Sequence, residues 1–238
     1  GKSSVITTSK HAKSKLERSF SKQKPLITPI FQSFLSSKSE DDSILKTFNL
    51  HDSDFLLHVG SFDKRKDLIT LVKAFKFLKE DKTNKHLKLV LAGRKILNGN
   101  SEVLNALETY ILTNNLSKSV LMTDYLSRAE IRSLYKKALI YVFPSVEEGF
   151  GIPILESFAT KTPVVTSNAG AMVEVAGGAA EHFNAGDYIE LSKTLTKLIT
   201  SKPKRTYLVE KGSERLKAFS RVKFINDYEH LILKSVKN

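Results

Sequence analysis

Short apolar runs alternate along the chain with longer stretches in which apolar residues recur every three or four positions. Residues 55–59 form such a run, and a stripe with the spacing of one helix face follows at Leu68, Leu71, Val72, Phe75 and Leu78. Further runs lie at 87–92, 120–122, 139–143 and 162–166, with helical stretches around 104–111, 153–160 and 191–199. Ser127 and Glu130 predict a capping box that opens a helix carrying Ile131 and Leu134. Aliphatic strands separated by helices predict a parallel sheet covered on both faces. We therefore predict an α/β fold with a doubly wound, Rossmann-like parallel sheet.

The two ends of the chain depart from this alternation. Residues 5–9 and 10–20 predict one strand and one helix that have no sheet of their own nearby in sequence, and residues 21–41 are typical of a linker with one extended segment at 26–29. From Arg205 onward the pattern is helical, with a break near Ser220 that separates two helices. We expect three units, comprising residues 1–40, 41–205 and 206–238.

Composition excludes several classes of protein. A chain of 238 residues that is 41% hydrophobic and carries 14 phenylalanines can bury a core, so it is not a disordered basic tail. Its longest apolar run falls far short of the roughly 18 residues that span a bilayer. The absence of cysteine removes disulfides, thiolate metal sites and cysteine nucleophiles, and fits a cytoplasmic protein. The first residues lack both methionine and an apolar signal core, so we expect a piece or a processed form.

The net charge of +13 is confined to the two ends. Residues 1–39 carry +7 and residues 201–238 carry +6, which leaves residues 40–200 neutral. A nucleic-acid-binding protein usually spreads its positive charge over one working face, so the neutral middle argues against nucleic acid as a partner. The basic ends could instead contact an anionic membrane surface. The simpler interpretation is a set of solvated helix faces in a lysine-rich protein.

The densest chemistry lies in residues 143–156, which leave a strand, form a loop with two glycines and enter a helix near Pro153. Loops at the carboxyl ends of parallel strands line the ligand crevice. Glycines allow a close approach of backbone, and a helix N-terminus directs amide hydrogens at a phosphate. Glu148 and Glu156 could each accept hydrogen bonds from a sugar diol along one extended ligand. For Glu156 alone, negative charge at a helix N-terminus is an adequate structural alternative.

A second cluster, residues 60–67, also follows a predicted strand. Its basic triplet of Lys64, Arg65 and Lys66 suits a diphosphate, because arginine binds two oxygens and lysine provides a point charge. A lysine-rich surface turn would give the same pattern, but the position at the same sheet edge as Glu148 favours a binding role. By contrast, Asp52 and Asp54 precede the strand, away from that edge, and indicate a turn or a cap. The six histidines show no metal-ligand spacing.

Both clusters resemble one known family. Residues 60–68, Gly-Ser-Phe-Asp-Lys-Arg-Lys-Asp-Leu, are similar to its Gly-Thr-Leu-Glu-Pro-Arg-Lys-Asn-Leu. Residues 143–156, Phe-Pro-Ser-Val-Glu-Glu-Gly-Phe-Gly-Ile-Pro-Ile-Leu-Glu, resemble its Phe-Pro-Ser-x-Tyr-Glu-Gly-Phe-Gly-Leu-Pro-x-Leu-Glu and reproduce a Glu-x7-Glu motif. The family is the retaining, GT-B-fold group 1 glycosyltransferases, also called glycosyltransferase family four. The resemblance runs from about residue 5 to the C-terminus and is specific over 55–183.

The resemblance implies that this chain is the donor-binding, C-terminal lobe of a two-lobed enzyme, preceded by a remnant of the acceptor lobe. It implies catalytic roles for Glu148 at the sugar ring and for Arg65 and Lys66 at the diphosphate, without a metal or cofactor. It implies that Glu156 binds the ribose and that Thr123 to Tyr125 border the base. The implied donor-binding positions are Gly60, Ser61, Arg65, Lys66, Thr123, Tyr125, Glu148, Gly149, Phe150, Gly151, Ile152 and Glu156.

Three positions depart from the family pattern. Ser61 stands where many members have a phosphate-binding arginine, Asp124 where glycine is frequent, and Val173 where proline is usual. The first departure leaves Arg65 and Lys66 as the expected diphosphate clamp. None of the six histidines fits the family's catalytic-site histidine by position, so we expect the acceptor lobe to be largely missing.

The resemblance predicts transfer of a hexose, most simply mannose, from GDP-mannose or a UDP-sugar to a glycan or lipid-linked acceptor in surface polysaccharide or lipopolysaccharide synthesis. The predicted location is the cytoplasm, with peripheral contact at the inner face of the membrane. The alternative is a non-catalytic nucleotide-sugar-binding or partner module that needs another chain for activity.

Overall fold

A computed structural model describes residues 6–19, 26–27, 39–93 and 101–236 of the chain. In chain order the strands are β1 (Ile6–Thr7), β2 (Leu26–Ile27), β3 (Phe55–Val59), β4 (Lys88–Ala92), β5 (Val120–Met122), β6 (Ile140–Phe143), β7 (Val164–Ser167) and β8 (Glu181–Phe183). The helices are α1 (Lys10–Ser19), α2 (Ser43–Thr47), α3 (Leu68–Glu80), α4 (Ser101–Thr113), α5 (Arg128–Lys137), α6 (Ile152–Ala159), α7 (Met172–Ala176), α8 (Tyr188–Thr200), α9 (Lys202–Leu216) and α10 (Arg221–Val236).

Strands β3 to β8 form one parallel sheet with the order β5-β4-β3-β6-β7-β8. Alternate side chains of the central strands enter two separate apolar cores. Leu56 and Val142 lie in the core that is shared with α3 and α8. Leu57 and Tyr141 lie in the core that is shared with α5 and α6. The prediction of a doubly wound parallel sheet is confirmed, because helices cover both faces.

The chain reverses its direction of travel across the sheet between β3 and β6. From β3 it moves outward through β4 to β5, and then returns to place β6 on the other side of β3. The helices that follow β3 and β6, α3 and α6, therefore pack on opposite faces of the sheet. Such a switch point opens a crevice between neighbouring strand ends, which is where ligands bind in folds of this class.

Several local expectations are confirmed and one is wrong. Ser127 and Glu130 form the predicted capping box, in which the Ser127 hydroxyl accepts the Glu130 amide at 3.2 Å and the Glu130 carboxylate accepts the Ser127 amide at 2.7 Å. The predicted strand at 5–9 was expected to have no sheet nearby, yet β1 pairs in parallel with β2. Each of the two strands contributes two residues to this pairing, and the short helix α1 lies between them in sequence. The rest of the predicted linker at 21–41 falls mostly on residues outside the described ranges.

The two helices predicted after Arg205 are present, with the expected break at Ser220 between α9 and α10. Helix α9 spans the boundary that was predicted at residue 205 and packs on α6 through Gly212, which is buried against Phe158. Among the described helices, none is long and apolar enough to cross a membrane.

We expect Gly212→Ala to lower the free energy of unfolding, although alanine is the better helix former. A Cβ at this position would lie 2.6 Å from the ring of Phe158, which is 3% exposed and cannot move away freely. The expected cost is about 1–3 kcal/mol, measured by denaturant unfolding. The neighbouring Ser213→Ala, at an exposed position of the same helix, is the control and should change stability little. Equal stability of the two variants would contradict close packing of α9 on α6.

Candidate functional site

The loops that follow β3 and β6 meet at the switch point. The amide of Val146, in the β6 loop, donates to the carbonyl of Arg65, in the β3 loop, at 2.8 Å. This backbone hydrogen bond joins the two clusters, residues 60–67 and 143–156, that the sequence analysis predicted to bind a ligand. The carboxyl edge of the sheet thus brings Arg65, Lys66 and Glu148 together, as their positions after two strands predicted.

Asp63 organises the β3 loop. Its carboxylate accepts the Ser61 hydroxyl at 2.6 Å, the Arg65 amide at 3.0 Å and the Arg65 guanidinium at 3.2 Å. Burial opposes ionisation of Asp63, but the hydrogen bond from Ser61 and the charge of Arg65 outweigh it and lower its pKa. Sequence reasoning assigned no role to Asp63. The available signal was its place two residues before Arg65, which is the spacing of a cap on the short 3-10 turn Lys64–Lys66.

Lys66 and Glu148 form a largely buried ion pair at the centre of the site. The Lys66 ammonium lies 2.5 Å from Glu148 Oε1, and the two side chains are only 10% and 13% exposed. The ammonium also lies 4.9 Å from the centroid of the Phe143 ring. Arg65 Nη1 is 3.7 Å from the other carboxylate oxygen, and the Ser145 hydroxyl donates to Oε1 at 3.3 Å. Two cations therefore share Glu148, and Arg65 also pairs with Asp63, so the four charges of this cluster balance.

The backbone after Glu148 is held from the β7 side. Gly170 has a φ of +58°, and a Cβ there would lie 2.9 Å from both the nitrogen and the oxygen of Glu148. The Ala171 amide donates to the Glu148 carbonyl at 3.2 Å. These contacts require glycine at 170 and fix the position of the Glu148 backbone within the β6 loop.

The same loop presents unpaired amides at the start of α6. Across the described ranges, the backbone N–H groups of residues 149–152 have no hydrogen-bond acceptor. Gly151 precedes α6 with a φ of +109°, a conformation that favours glycine. A Cβ on Gly149 would meet no atom within 4 Å, so the loop borders open space. Free amides at a helix N-terminus are the usual means of binding phosphate or another anion.

Glu156 lies one turn into α6, and the surroundings of its carboxyl differ from those of Glu148. Its Oε2 accepts the hydroxyl of the buried Tyr135 at 3.3 Å, and burial raises its pKa despite that hydrogen bond and the positive charge of Arg128. Tyr135 belongs to α5, and its contact with Glu156 has no signature in the local sequence. The structural alternative for Glu156, charge stabilisation of the helix N-terminus, does not explain a carboxyl that is largely withdrawn from water.

The remaining predicted positions are more dispersed. Thr123 and Tyr125 follow β5 at the edge of the sheet, and Tyr125 is 77% exposed. No hydrogen bond or ion pair within the described part of the chain links them to the Glu148 cluster. Ser61 is exposed and is engaged with Asp63. Across residues 6–19, 26–27, 39–93 and 101–236, no group of three acidic or histidine side chains is arranged to hold a metal ion.

His58 lies on β3, two residues before Gly60, and it cannot serve as a proton carrier at neutral pH. It is fully buried, and burial lowers its pKa to about 3. Its Nδ1 lies 3.1 Å from the Val142 carbonyl, so Nδ1 carries the proton and donates.

The site therefore combines an arginine and a lysine, free amides at a helix N-terminus, and two carboxyl groups in different environments. Cations and amides suit the phosphates of a nucleotide, and carboxylates suit hydroxyl groups of a sugar. The arrangement matches an elongated ligand that has an anionic centre and polyhydroxylated ends.

Comparison with known proteins gives one consistent result. Residues 40–215 match the family model described as glycosyl transferases group 1. The chain is 27% identical over 158 residues to the serotype-specific mannosyltransferase WbdA of Escherichia coli, covering 66% of this chain and 19% of that protein. It is 27% identical over 184 residues to the O-antigen chain mannosyltransferase B of Escherichia coli, covering 77% of this chain and 47% of that one.

A solved structure shows the same fold. Anabaena Alr3699/HepE in complex with UDP and glucose superposes with a TM-score of 0.84 at 18% identity, over 98% of this chain and 63% of that one. The chain thus spans about a fifth to a half of the length of the curated relatives named above.

We expect Glu156→Gln to raise the free energy of unfolding at pH 8, by on the order of 1 kcal/mol, because it removes a half-buried charge and keeps an acceptor for Tyr135. The gain should shrink as the pH falls. The pKa of Glu156 is raised in the folded state, so protonation on acidification stabilises the folded wild-type chain selectively.

Denaturant unfolding at pH 8 and pH 5 measures this difference. Glu210→Gln, at an exposed position of α9, serves as the control and should show no such pH-dependent gain. If the gain in the free energy of unfolding of Glu156→Gln were the same at both pH values, it would contradict a raised pKa of Glu156 in the folded state.

Proposed function

Because the chain belongs to the glycosyl transferases group 1 family, we propose that its Rossmann-like unit binds a nucleotide-diphosphate sugar and supports transfer of the hexose with retention of configuration. The acceptor is a glycan or a lipid-linked glycan, and the product belongs to a surface polysaccharide or lipopolysaccharide. The observation that carries this proposal is the shared pairing of Arg65 and Lys66 with Glu148, beside amides that have no acceptor among the described residues.

In the transfer, the bond between the anomeric carbon of the sugar and the diphosphate oxygen breaks. The acceptor oxygen forms the new bond to that carbon, and its proton passes to the departing diphosphate. Negative charge grows on the leaving diphosphate while positive charge grows on the sugar ring. Cations fixed at the leaving group stabilise the first charge in the transition state. We assign that role to Arg65 and Lys66, which would exchange Glu148 for phosphate oxygens when the donor binds. The proposal includes no metal or other cofactor.

We assign the two carboxyl groups to the two ends of the donor. Glu148, freed from Lys66, accepts hydroxyl groups of the sugar, and the backbone of residues 149–152 faces the sugar and phosphates. Glu156 binds the ribose hydroxyls, and the segment from Thr123 to Tyr125 borders the base. The Gly60 backbone and Ser61 lie at the start of the phosphate-facing loop.

We propose mannose as the sugar and GDP-mannose as the donor. The support is that relatives are named mannosyltransferases, two of them for the O-antigen chain. A UDP-sugar is the second candidate, because the Anabaena structure was solved with UDP and glucose. A non-catalytic binding module is less well supported, since the named relatives are transferases.

The acceptor lobe and the location complete the proposal. Relatives and structural neighbours extend beyond the region matched here, so we assign acceptor binding to a further lobe. We propose a cytoplasmic location, with the basic ends in peripheral contact with an anionic membrane, on the grounds of their charges of +7 and +6. We propose no nucleic-acid partner.

A matched pair of lysine variants tests the diphosphate clamp. Lys66→Gln should weaken binding of GDP and GDP-mannose at least tenfold, because it removes the enclosed ammonium that faces the ligand. Lys64→Gln changes the charge equally in the same turn, but the Lys64 side chain is 78% exposed and pairs with Glu102 at 3.2 Å. Its affinity should stay within about twofold of the wild type.

Isothermal titration calorimetry with GDP-mannose, GDP, UDP-glucose and UDP measures these affinities and identifies the base. Equal losses in the two variants would indicate a nonspecific effect of positive charge and would contradict the proposed clamp. If the wild-type chain bound none of the four ligands, donor binding itself would be excluded.

A further inference from the structure

The first helix of the chain lies directly against the loop of the proposed donor site. The Ser9 hydroxyl, which belongs to a fully buried residue, donates to the carbonyl of Gly149 at 2.7 Å. Thr8 offers a second hydroxyl to the same carbonyl at 3.4 Å. These contacts span 140 and 141 residues of sequence, and they reach the residue that directly follows Glu148.

Ser9 also caps the helix that it precedes. Its hydroxyl oxygen accepts the Ala12 amide at 3.0 Å while its proton goes to Gly149. A hydroxyl group can donate one hydrogen bond and accept others, so both contacts can form at once. The position of the Gly149 carbonyl is therefore tied to the start of α1.

Glu174, on α7, holds the same helix start from the other side. Its carboxylate accepts the Lys10 amide at 3.1 and 3.0 Å and the His11 amide at 3.3 Å. A carboxylate at the first amides of a helix is favourable both as a hydrogen-bond acceptor and as a negative charge. The nearby pair of Lys15 and Glu147 is exposed, so we give it little weight.

These contacts close a ring around the loop. Helix α1 holds the loop at Gly149, the loop holds α7 through the Ala171 amide and the Glu148 carbonyl, and α7 holds α1 through Glu174. Behind α7, the Arg215 guanidinium donates to the carbonyls of Glu174 and Val175 at 2.8 and 3.0 Å. Helix α9 thus anchors the ring to the body of the protein.

The orientation of one peptide unit follows from the ring. The Gly149 carbonyl and the Phe150 N–H belong to the same planar peptide, and no peptide bond of the described residues is cis. The two groups therefore point in opposite directions. With the carbonyl held by Ser9, the Phe150 N–H points away from α1, and it is one of the amides without an acceptor in the described ranges.

We propose that Ser9 and Glu174 are positioning residues that hold the peptide between Gly149 and Phe150 so that its N–H faces the donor. This inference takes its ligand from the proposed function, but the hydrogen bond between Ser9 and Gly149 is formed without a ligand. It adds to the site a hydroxyl and a carboxylate that do not themselves touch the nucleotide sugar. It also makes donor affinity depend on the docking of α1.

The first measurement uses the full chain without nucleotide. The 13C chemical shift of the Gly149 carbonyl reports the hydrogen bond that this carbonyl accepts, and a purely helix-capping role of Ser9 would not move it. We expect this shift to change in Ser9→Ala and to return towards the wild-type value in Ser9→Thr, which keeps a hydroxyl. The control is Ser14→Ala. It removes a hydroxyl from the same helix, but that hydroxyl contacts Arg18 and not the loop. An unchanged Gly149 signal in Ser9→Ala would overturn the proposed contact.

The second measurement is the dissociation constant for GDP-mannose and GDP. We expect an increase of about two- to tenfold in Ser9→Ala and in Glu174→Ala, the range set by the loss of one hydrogen bond. Ser9→Thr should restore the affinity, and Ser14→Ala and Glu210→Ala should retain it. A carbonyl shift that moves without any change in affinity would overturn the positioning role.

The two proposals fail separately. If the wild-type chain binds no nucleotide, the proposed function fails and so does the positioning of an N–H for a donor, while the carbonyl shift still decides whether Ser9 holds the loop. If nucleotide binds but Ser9→Ala and Glu174→Ala bind as tightly as the wild type, the donor site stands and the positioning role is wrong.

Discussion

The adjacency of β3 and β6 is the constraint on which the rest of the site depends. Leu56 and Leu57 of β3 pair with Ile140 and Tyr141 of β6, although more than 80 residues separate them in sequence. Parallel pairing sets both carboxyl ends at one edge, and the reversal of winding places the helices that follow, α3 and α6, on opposite faces of the sheet. Arg65 and Lys66 can share Glu148 only because of this pairing. The aliphatic character of the two strands, which serves the core, is thus what assembles the polar crevice.

The crevice is built at a cost to stability that a ligand can offset. Glu156 is kept in surroundings that disfavour its charge, and the enclosed ammonium of Lys66 relies on one carboxylate that it shares with Arg65. The nucleotide-diphosphate sugar that we propose as donor would supply hydroxyl groups to the carboxylates and anionic oxygens to the two cations. Groups that are arranged before binding need little reorganisation when charge develops on the leaving group. The same withdrawal from water that weakens the folded state therefore serves binding.

Much of the fold was predictable, because its strongest signals are local. The apolar runs located five of the six strands of the main sheet, and Ser127 with Glu130 predicted a helix start that the structure confirms. Strand β8 and helix α7 lack such signals, since each is short and the chain between 168 and 180 is rich in alanine and glycine. The extended segments at 5–9 and 26–29 were predicted, but not the pairing of β1 with β2, because local periodicity does not report which strands pair.

The site was predictable where each contribution follows a strand, and it was not where a contact joins distant segments. Arg65, Lys66 and Glu148 could be placed together from their positions after β3 and β6. Tyr135 beside Glu156, and Ser9 beside Gly149, depend on how helices pack across the sheet edge, and no spacing in the sequence encodes that distance. Such contacts act on the orientation of one carboxyl or one peptide, and orientation is what a preorganised site requires. The residues that we propose to contact the donor are therefore easier to find from sequence than the residues that we propose to position them.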